Sequence, residues 1–260
     1  MKTVTNRQTF HTEYKSAEGG AHSVALRGIR AADWCVDRFV DVVFLLLLLI
    51  GIYFMYDSAY VFYHSRAAVV GPYKPDGADM TALKELSEDV VGWITLDDTT
   101  IDYPVMQGKT NFEYLNKDPF GKFSLSGSIY LDSRNASDFS DAYSLVYGHH
   151  MSGEYMFGAL DLFADEAYFE EHTTGTLTTE RGKFPVTVIA FYQTDASDSM
   201  VFDVEMERND MAGYIESHAE RFREAGAAQK KIVALTTCKS PTTTKRTAVF
   251  VVIEEDQKIE

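Results

Sequence analysis

Cysteine is almost missing from this sequence: 260 residues contain two, Cys35 and Cys238. Two thiols cannot build a disulfide framework, and no Cys-x-x-Cys spacing is present to hold zinc. Basic residues are also scarce, with 24 Lys and Arg against 39 Asp and Glu, a net charge of −15. That balance excludes a protein built to neutralise phosphate, so no nucleic-acid partner is expected. The many carboxylates do not follow the ordered spacing of a calcium loop, and no metal or cofactor is implied. Internal repeats and low-complexity tracts are missing too.

What is present is distributed unevenly. Residues 1–38 hold six basic against four acidic residues, net +2, whereas residues from 57 onward hold 18 against 34, net −16. Between them lies Val42–Tyr56, fifteen residues without a charge. A bilayer span needs roughly 20 apolar residues, which extension to Phe39 and through the belt-forming aromatics Tyr60, Phe62 and Tyr63 supplies. The unbroken leucine run has no polar face and so does not suit a buried soluble helix. It starts some forty residues in and no small-x-small cleavage site follows it directly, which disfavours a cleaved signal. Arg27, Arg30 and Arg38 precede it, which places the N-terminus in the cytoplasm. The expected division is a cytoplasmic tail, poorly ordered over residues 1–33 (1–38), a single-pass transmembrane anchor (39–63), a linker containing Pro72 and Pro75 (64–78) and an extracellular domain (79–260).

In that domain Asp79 is placed to cap a short helix with Leu83, Leu86 and Val90 on one face. Short apolar runs broken by turn residues then predict eight strands: Trp93–Leu96, Ile101–Met106, Ser128–Leu131, Tyr143–Tyr147, Gly175–Thr179, Pro185–Gln193, Ile232–Leu235 and Ala248–Ile253. Without regular helix alternation they indicate an all-β fold with short helices, an antiparallel sandwich or a closed barrel. One helical turn is expected around Met156, Leu160 and Phe163. A longer helix is expected from an Asn209 cap through Met211, Tyr214, Ile215, His218 and Phe222 to Gly226, with His218 at the edge of the core.

The chemistry concentrates at Lys231–Ile253. Cys238 closes one predicted strand and Arg246 opens the next, so a thiol and a guanidinium stand at neighbouring strand ends. A cysteine with Thr and Lys beside it is not in an apolar interior, and without a partner cysteine on the same side of a membrane its role is not a disulfide. A thiol near neutral pH needs a base or cation beside it to act as a nucleophile. Among His64, His149, His150, His172 and His218, the residue suited to that task is His149. It follows Gly148 at the end of the Tyr143–Tyr147 strand, where glycine permits a sharp turn. His150 reads as a surface loop residue and His172 as part of an exposed acidic segment. Arg246 taken alone reads as a solvated strand-end charge; beside a nucleophile, its fork suits a developing oxyanion.

The segment Leu235-Thr236-Thr237-Cys238 resembles the Leu-x-Thr-Cys signature of sortases, the cell-surface transpeptidases of Gram-positive bacteria. Tyr147-Gly148-His149 is similar to their Gly-His segment, and Arg246 falls where their arginine opens the next strand. The resemblance is closest to class B and includes Val91-Gly92-Trp93-Ile94, Asp102–Gly108, Gly127–Asp132, Asp138–Asp141 and Met156-Phe157-Gly158. It implies a closed eight-stranded β-barrel behind one transmembrane helix. It further implies that Cys238 attacks a C-terminal sorting signal of surface proteins to form a thioester. His149 would then act as acid and base, and Arg246 would orient the substrate and stabilise the oxyanion, while Thr237 shapes the groove. The implied acceptor is an amine of peptidoglycan precursor (lipid II) or of a pilin lysine. One departure stands out: class B members often carry an acidic residue close behind the cysteine, where this chain has Lys239, Ser240 and Pro241. Two other readings exist. A papain-like protease places Cys before His, the reverse of His149 and Cys238; a membrane-tethered, non-catalytic β-barrel binding or adhesion module would leave Cys238 unreactive.

Overall fold

The computed structural model describes residues 7–64, 66–77, 79–207, 210–224, 230–238 and 244–259. It divides into two compact units, Met1–Ala59 and Tyr60–Glu260. The first is helical: α1 (Arg7–His64) contains Leu26–Tyr63, a stretch long and apolar enough to cross a membrane. The tail expected to be poorly ordered is thus helical from Arg7 onward. Its Ala, Gln, Glu and Arg residues are good helix formers, and each glycine of Gly19–Gly20 costs only about 1 kcal/mol relative to alanine.

After the last turn of α1, the second unit continues with α2 (Ala67–Val70), a 3₁₀ turn over Gly71–Tyr73, and α3 (Thr81–Leu86). Val70 and Leu83 are buried in the core. Asp79 accepts from the Thr81 backbone N–H at 2.9 Å and from the Thr81 hydroxyl at 2.6 Å, fixing the start of α3. Val90 belongs not to that helix face but to the first strand, where the register pairs it with Met106.

The strands are β1 (Val90–Leu96), β2 (Asp102–Met106), β3 (Ile129–Leu131), β4 (Tyr143–Gly148), β5 (Thr174–Thr179), β6 (Gly182–Asp195), β7 (Arg221–Phe222), β8 (Ile232–Cys238) and β9 (Lys245–Ile253). Their order is β5-β1-β2-β3-β4-β8-β9-β6-β7, and β5 also pairs with β6. That extra pairing closes eight strands into a barrel, with β7 attached outside to β6 at Ala190 and Phe191. The expected closed eight-stranded barrel is therefore present. Two of its pairings, β2–β3 and β4–β8, are parallel.

The core explains why β8 and β9 read as continuous apolar runs rather than alternating ones. Val233, Leu235, Val249, Val251 and Ile253 point into one cluster with Trp93, Ile94 and Val105. Ile232, Ala234, Ala248, Phe250 and Val252 point into a second cluster on the opposite face. Successive side chains of a strand alternate between faces, so both faces of this strand pair are covered. The outer cover comes from α5 (Ser199–Phe202) and α6 (Met211–His218), through Val201, Met211 and Ile215.

Here three expectations change. Asn209 and Gly226 lie outside the described residues, and Asp210 caps α6 by accepting from the Gly213 N–H at 2.8 Å. The helix ends at His218, because Phe222 pairs with Ala190 as part of β7 instead. His218 is exposed rather than at the edge of the core, and it stacks on Tyr214 with ring centroids 4.2 Å apart.

The turn expected around Met156 is a 3₁₀ helix over Gly158–Ala164, followed by α4 (Glu166–Glu171). Leu160 and Phe163 on that 3₁₀ helix are fully buried in the core, so it packs directly on the barrel.

Candidate active site

The register of three adjacent strands assembles the site. In the parallel β4–β8 pair Gly148 stands opposite Thr237, so one further step brings His149 and Cys238 level. In the antiparallel β8–β9 pair Cys238 stands opposite Arg246. Neighbouring strands lie about 4.8 Å apart. The backbone therefore gathers His149, Cys238 and Arg246, each from a different strand end, with Cys238 in the middle. The loop from Lys239 runs through residues 239–243, outside the described residues.

A cavity of about 340 Å³ opens at this end, lined by His149, Arg246, Thr236, Thr237, Tyr147 and Tyr130, with Asn111, Phe112, Leu115, Ala196 and Phe202 among its other walls. His149 is half-buried, and its Nε2 lies 2.7 Å from the Leu115 carbonyl oxygen. A carbonyl can only accept, so Nε2 carries the hydrogen and Nδ1 is the nitrogen left for proton exchange. Thr237 is buried, and among the described residues its hydroxyl oxygen has no hydrogen-bond partner. Thr236, by contrast, donates to the Val146 carbonyl at 3.0 Å and serves the sheet. Arg246 is partly exposed and donates from Nη1 to the Lys245 carbonyl at 3.2 Å.

Gly148 is the last residue of β4 and has no left-handed backbone, so packing and not a turn requires glycine there. A Cβ there would lie 2.5 Å from Ile129 Cδ1 and 2.6 Å from Phe157 Cδ2. Phe157 is fully buried and cannot swing aside. Gly148→Ala is expected to cost about 1–3 kcal/mol of stability through overpacking, read by chemical denaturation, and to displace His149 so that activity falls further than stability.

One pocket wall is organised by a buried carboxylate. Asp132 is fully buried at the end of β3 and takes a bidentate grip from Arg134, Nε to Oδ1 and Nη2 to Oδ2, both 2.9 Å. It also accepts from Asn111 Nδ2 at 2.8 Å and from the Tyr147 hydroxyl at 3.1 Å, and both of those residues face the cavity. Burial works to raise the Asp132 pKa, but the Arg134 contacts and the Asn111 hydrogen bond outweigh it and hold the carboxyl below its ordinary value. Burial first, and then the Asp132 charge, push the Tyr147 phenol well above its ordinary range.

A carboxyl depressed on folding contributes stability above its unfolded pKa of about 3.9, and that contribution disappears as pH falls through the lower folded value. Asp132→Ala is therefore expected to destabilise the domain at neutral pH by about 1–3 kcal/mol, since it removes the buried acceptor of the Asn111 and Tyr147 donors and leaves Arg134 only its contacts to Asp203 and Glu205 at 3.4 Å. The gap in stability between the variant and the parent should narrow as the pH of a urea series is lowered through and below about 3.9.

The other histidines resolve differently. His150, expected as a surface loop residue, is half-buried and its Nε2 lies 3.0 Å from Asp161 Oδ2. His172 is also only partly exposed: it ends α4, donates from Nδ1 to the Tyr168 carbonyl at 2.8 Å, and stacks on the Tyr168 ring. Neither Leu115 nor Asp161 was legible from residue pattern. A backbone carbonyl carries no residue-type signal, and Asp161 sits in a 3₁₀ turn that an apolar pattern reports only through its buried neighbours. Among the described residues, no group of three or more His, Cys, Asp or Glu is placed to hold a metal ion.

No family model matches the chain. It is 34% identical to sortase B of Staphylococcus aureus over 120 residues, which is 46% of this chain and only 49% of that protein, so the match spans about half of that relative's length. It is 29% identical to sortase B of Listeria monocytogenes over 189 residues, 70% of this chain and 76% of that protein. Among solved structures it superposes on a class B sortase of Streptococcus pyogenes involved in pilus biogenesis with a TM-score of 0.59 and 38% identity, covering 66% of this chain and 96% of that one.

Proposed function

The chain belongs to the class B sortases, and on that premise we propose that it is a membrane-anchored cysteine transpeptidase. It cleaves a C-terminal sorting signal of surface proteins through a thioester on Cys238 and passes the acyl group to an amine of peptidoglycan precursor or of a pilin lysine. The observation that carries this reading is the register, which sets His149, Cys238 and Arg246 on three adjacent strand ends beside one cavity.

In the first half-reaction the Cys238 thiolate attacks the scissile carbonyl carbon, and the electron pair moves onto the oxygen. Arg246 stabilises that oxyanion with a planar fork of donors at the cavity edge. As the tetrahedral intermediate collapses, the C–N bond breaks and protonated His149 gives its Nδ1 proton to the departing amine. The thioester remains. An incoming amine then attacks it and loses a proton to His149 Nδ1, and the Cys238 thiolate leaves as the new amide forms. The Leu115 carbonyl holds Nε2–H throughout, so the ring presents Nδ1 in both steps. The buried Thr237 hydroxyl at the cavity wall is available to the substrate backbone.

Localisation follows the same reading. Residues 39–63, within the apolar stretch Leu26–Tyr63 of α1, are the anchor, and Arg27, Arg30 and Arg38 on its N-terminal side hold the N-terminus in the cytoplasm by the positive-inside tendency. The catalytic domain is then extracellular.

The test is to incubate the full chain in detergent with a library of sorting-signal peptides and candidate amines, and to identify ligated products and trapped thioester by mass spectrometry. A ligated product with one peptide class supports the reading. No thioester and no product with any peptide, together with a Cys238 inert to thiol reagents, would replace it with a non-catalytic binding module.

A further inference from the structure

Within that reading of His149 and Arg246 as catalytic, we propose that Asp161 is a positioning residue that braces the two across the nucleophile strand. The strands that carry them, β4 and β9, are both neighbours of β8 but are not paired to each other. Backbone hydrogen bonds therefore fix each one to β8 and leave the third side of the arrangement open.

Asp161 closes it. Its Oδ2 accepts from His150 Nε2 at 3.0 Å, and its Oδ1 accepts from the Thr247 hydroxyl at 2.6 Å. His150 is the residue after His149, and Thr247 is the residue after Arg246. One carboxylate thus grips the chain one residue beyond each catalytic side chain.

The brace acts from the core-facing side of β9, with Asp161 and His150 themselves only partly buried. Thr247 is fully buried and shares its strand face with Val249 and Val251, which point into the core that also holds Leu160 and Phe163. Arg246, one residue earlier, points the opposite way and lines the cavity, as strand alternation requires. Asp161 itself is not among the cavity-lining residues. It reaches the reacting groups only through their neighbours, so its effect is on geometry and not on proton transfer.

The 3₁₀ helix that carries Asp161 is tied to the same segment by backbone contacts. Phe157 N–H donates to the His149 carbonyl at 3.1 Å, and His150 forms an isolated bridge with Met156. The chain at Gly158 also runs so close to the Met151 carbonyl that a Cβ would meet it at 2.2 Å. The turn carrying Asp161 is therefore set firmly against the histidine segment, and its carboxylate passes that placement on to β9.

Near-attack geometry is sensitive to small displacements, and about 1 Å of misplacement can cost on the order of 100-fold. For Asp161→Ala, in the full chain with a peptide that the parent enzyme ligates, kcat per trappable thioester site is expected to fall about tenfold with KM within about twofold. Thr247→Val should fall similarly, and the double variant should lose little more than either alone, because both remove one link. Asp161→Asn keeps an acceptor for Thr247 and should recover part of the loss.

Asp165→Ala is the control. It removes a carboxylate from the other end of the same 3₁₀ helix, where Asp165 caps α4 through Tyr168 N–H, and it should leave kcat per site unchanged. Counting rate per trappable site separates positioning from simple loss of folded enzyme. Parent-like kcat per site in Asp161→Ala, or equal losses in Asp165→Ala, would overturn the proposal. Absence of thioester in the parent enzyme would instead overturn the transpeptidase reading beneath it.

Discussion

Replacing Cys238 with alanine is expected to lower acyl transfer by about a millionfold. The size follows from what the thiol does in the proposed cycle. Both half-reactions run through a bond to its sulfur, so its removal leaves no slower version of the same path. His149 and Arg246 would remain in place beside the cavity, since the strand register that positions them is a backbone property. Peptide binding should therefore survive, and the variant should hold substrate without turning it over. The measurement is ligated product and hydroxylamine-trapped acyl group by mass spectrometry, together with peptide affinity. A Cys238→Ala protein that still ligates would remove the thioester from the mechanism.

The second large effect is expected at Arg246. Arg246→Lys keeps the charge but loses the planar fork, and kcat is expected to fall by about 100- to 1,000-fold, the range seen when a donor to a developing oxyanion is removed. KM should change far less, because the interaction strengthens only as charge moves onto the carbonyl oxygen. A steady-state series with a ligated peptide separates the two parameters. If KM rose by the same factor while kcat held, Arg246 would be a ground-state substrate contact and the oxyanion would need another donor. Among the described residues, the register places no other strand-end cation directly opposite Cys238.

Much of this arrangement was legible in the sequence because β-structure writes itself in residue type. All eight predicted strands are present, with every end within three residues of the prediction, since Val, Ile, Thr and Phe cluster where a pleated surface is buried. The strand-end positions of the candidate residues were legible for a related reason: Gly148 before His149 and the Thr-Thr-Cys end of β8 mark strand termini. What was not legible depends on tertiary pairing. Phe222 fits the helical spacing of Met211 and Ile215, yet it leaves that helix to pair with Ala190. Two residues of strand are too few to show a period. His150 carried no pattern that distinguished it from a loop residue, and only the folded chain brings Asp161, eleven residues on, against it.

The closed barrel has a consequence for how an extended peptide could be read. Proteins with an open sheet often recognise such peptides by adding them as a further strand, through main-chain hydrogen bonds that are indifferent to sequence. Among the described strands here, the eight that form the barrel are each paired on both sides, and only the two-residue β7 presents an outer edge. Under the proposed function, a sorting signal would find no open barrel edge to extend as a ninth strand. Its recognition would then fall to side chains and loop carbonyls around the cavity, such as those of Asn111, Phe112 and Phe202. These sit on segments that the barrel holds but does not need for closure, so preference for one peptide over another can change there while the eight strands stay as they are.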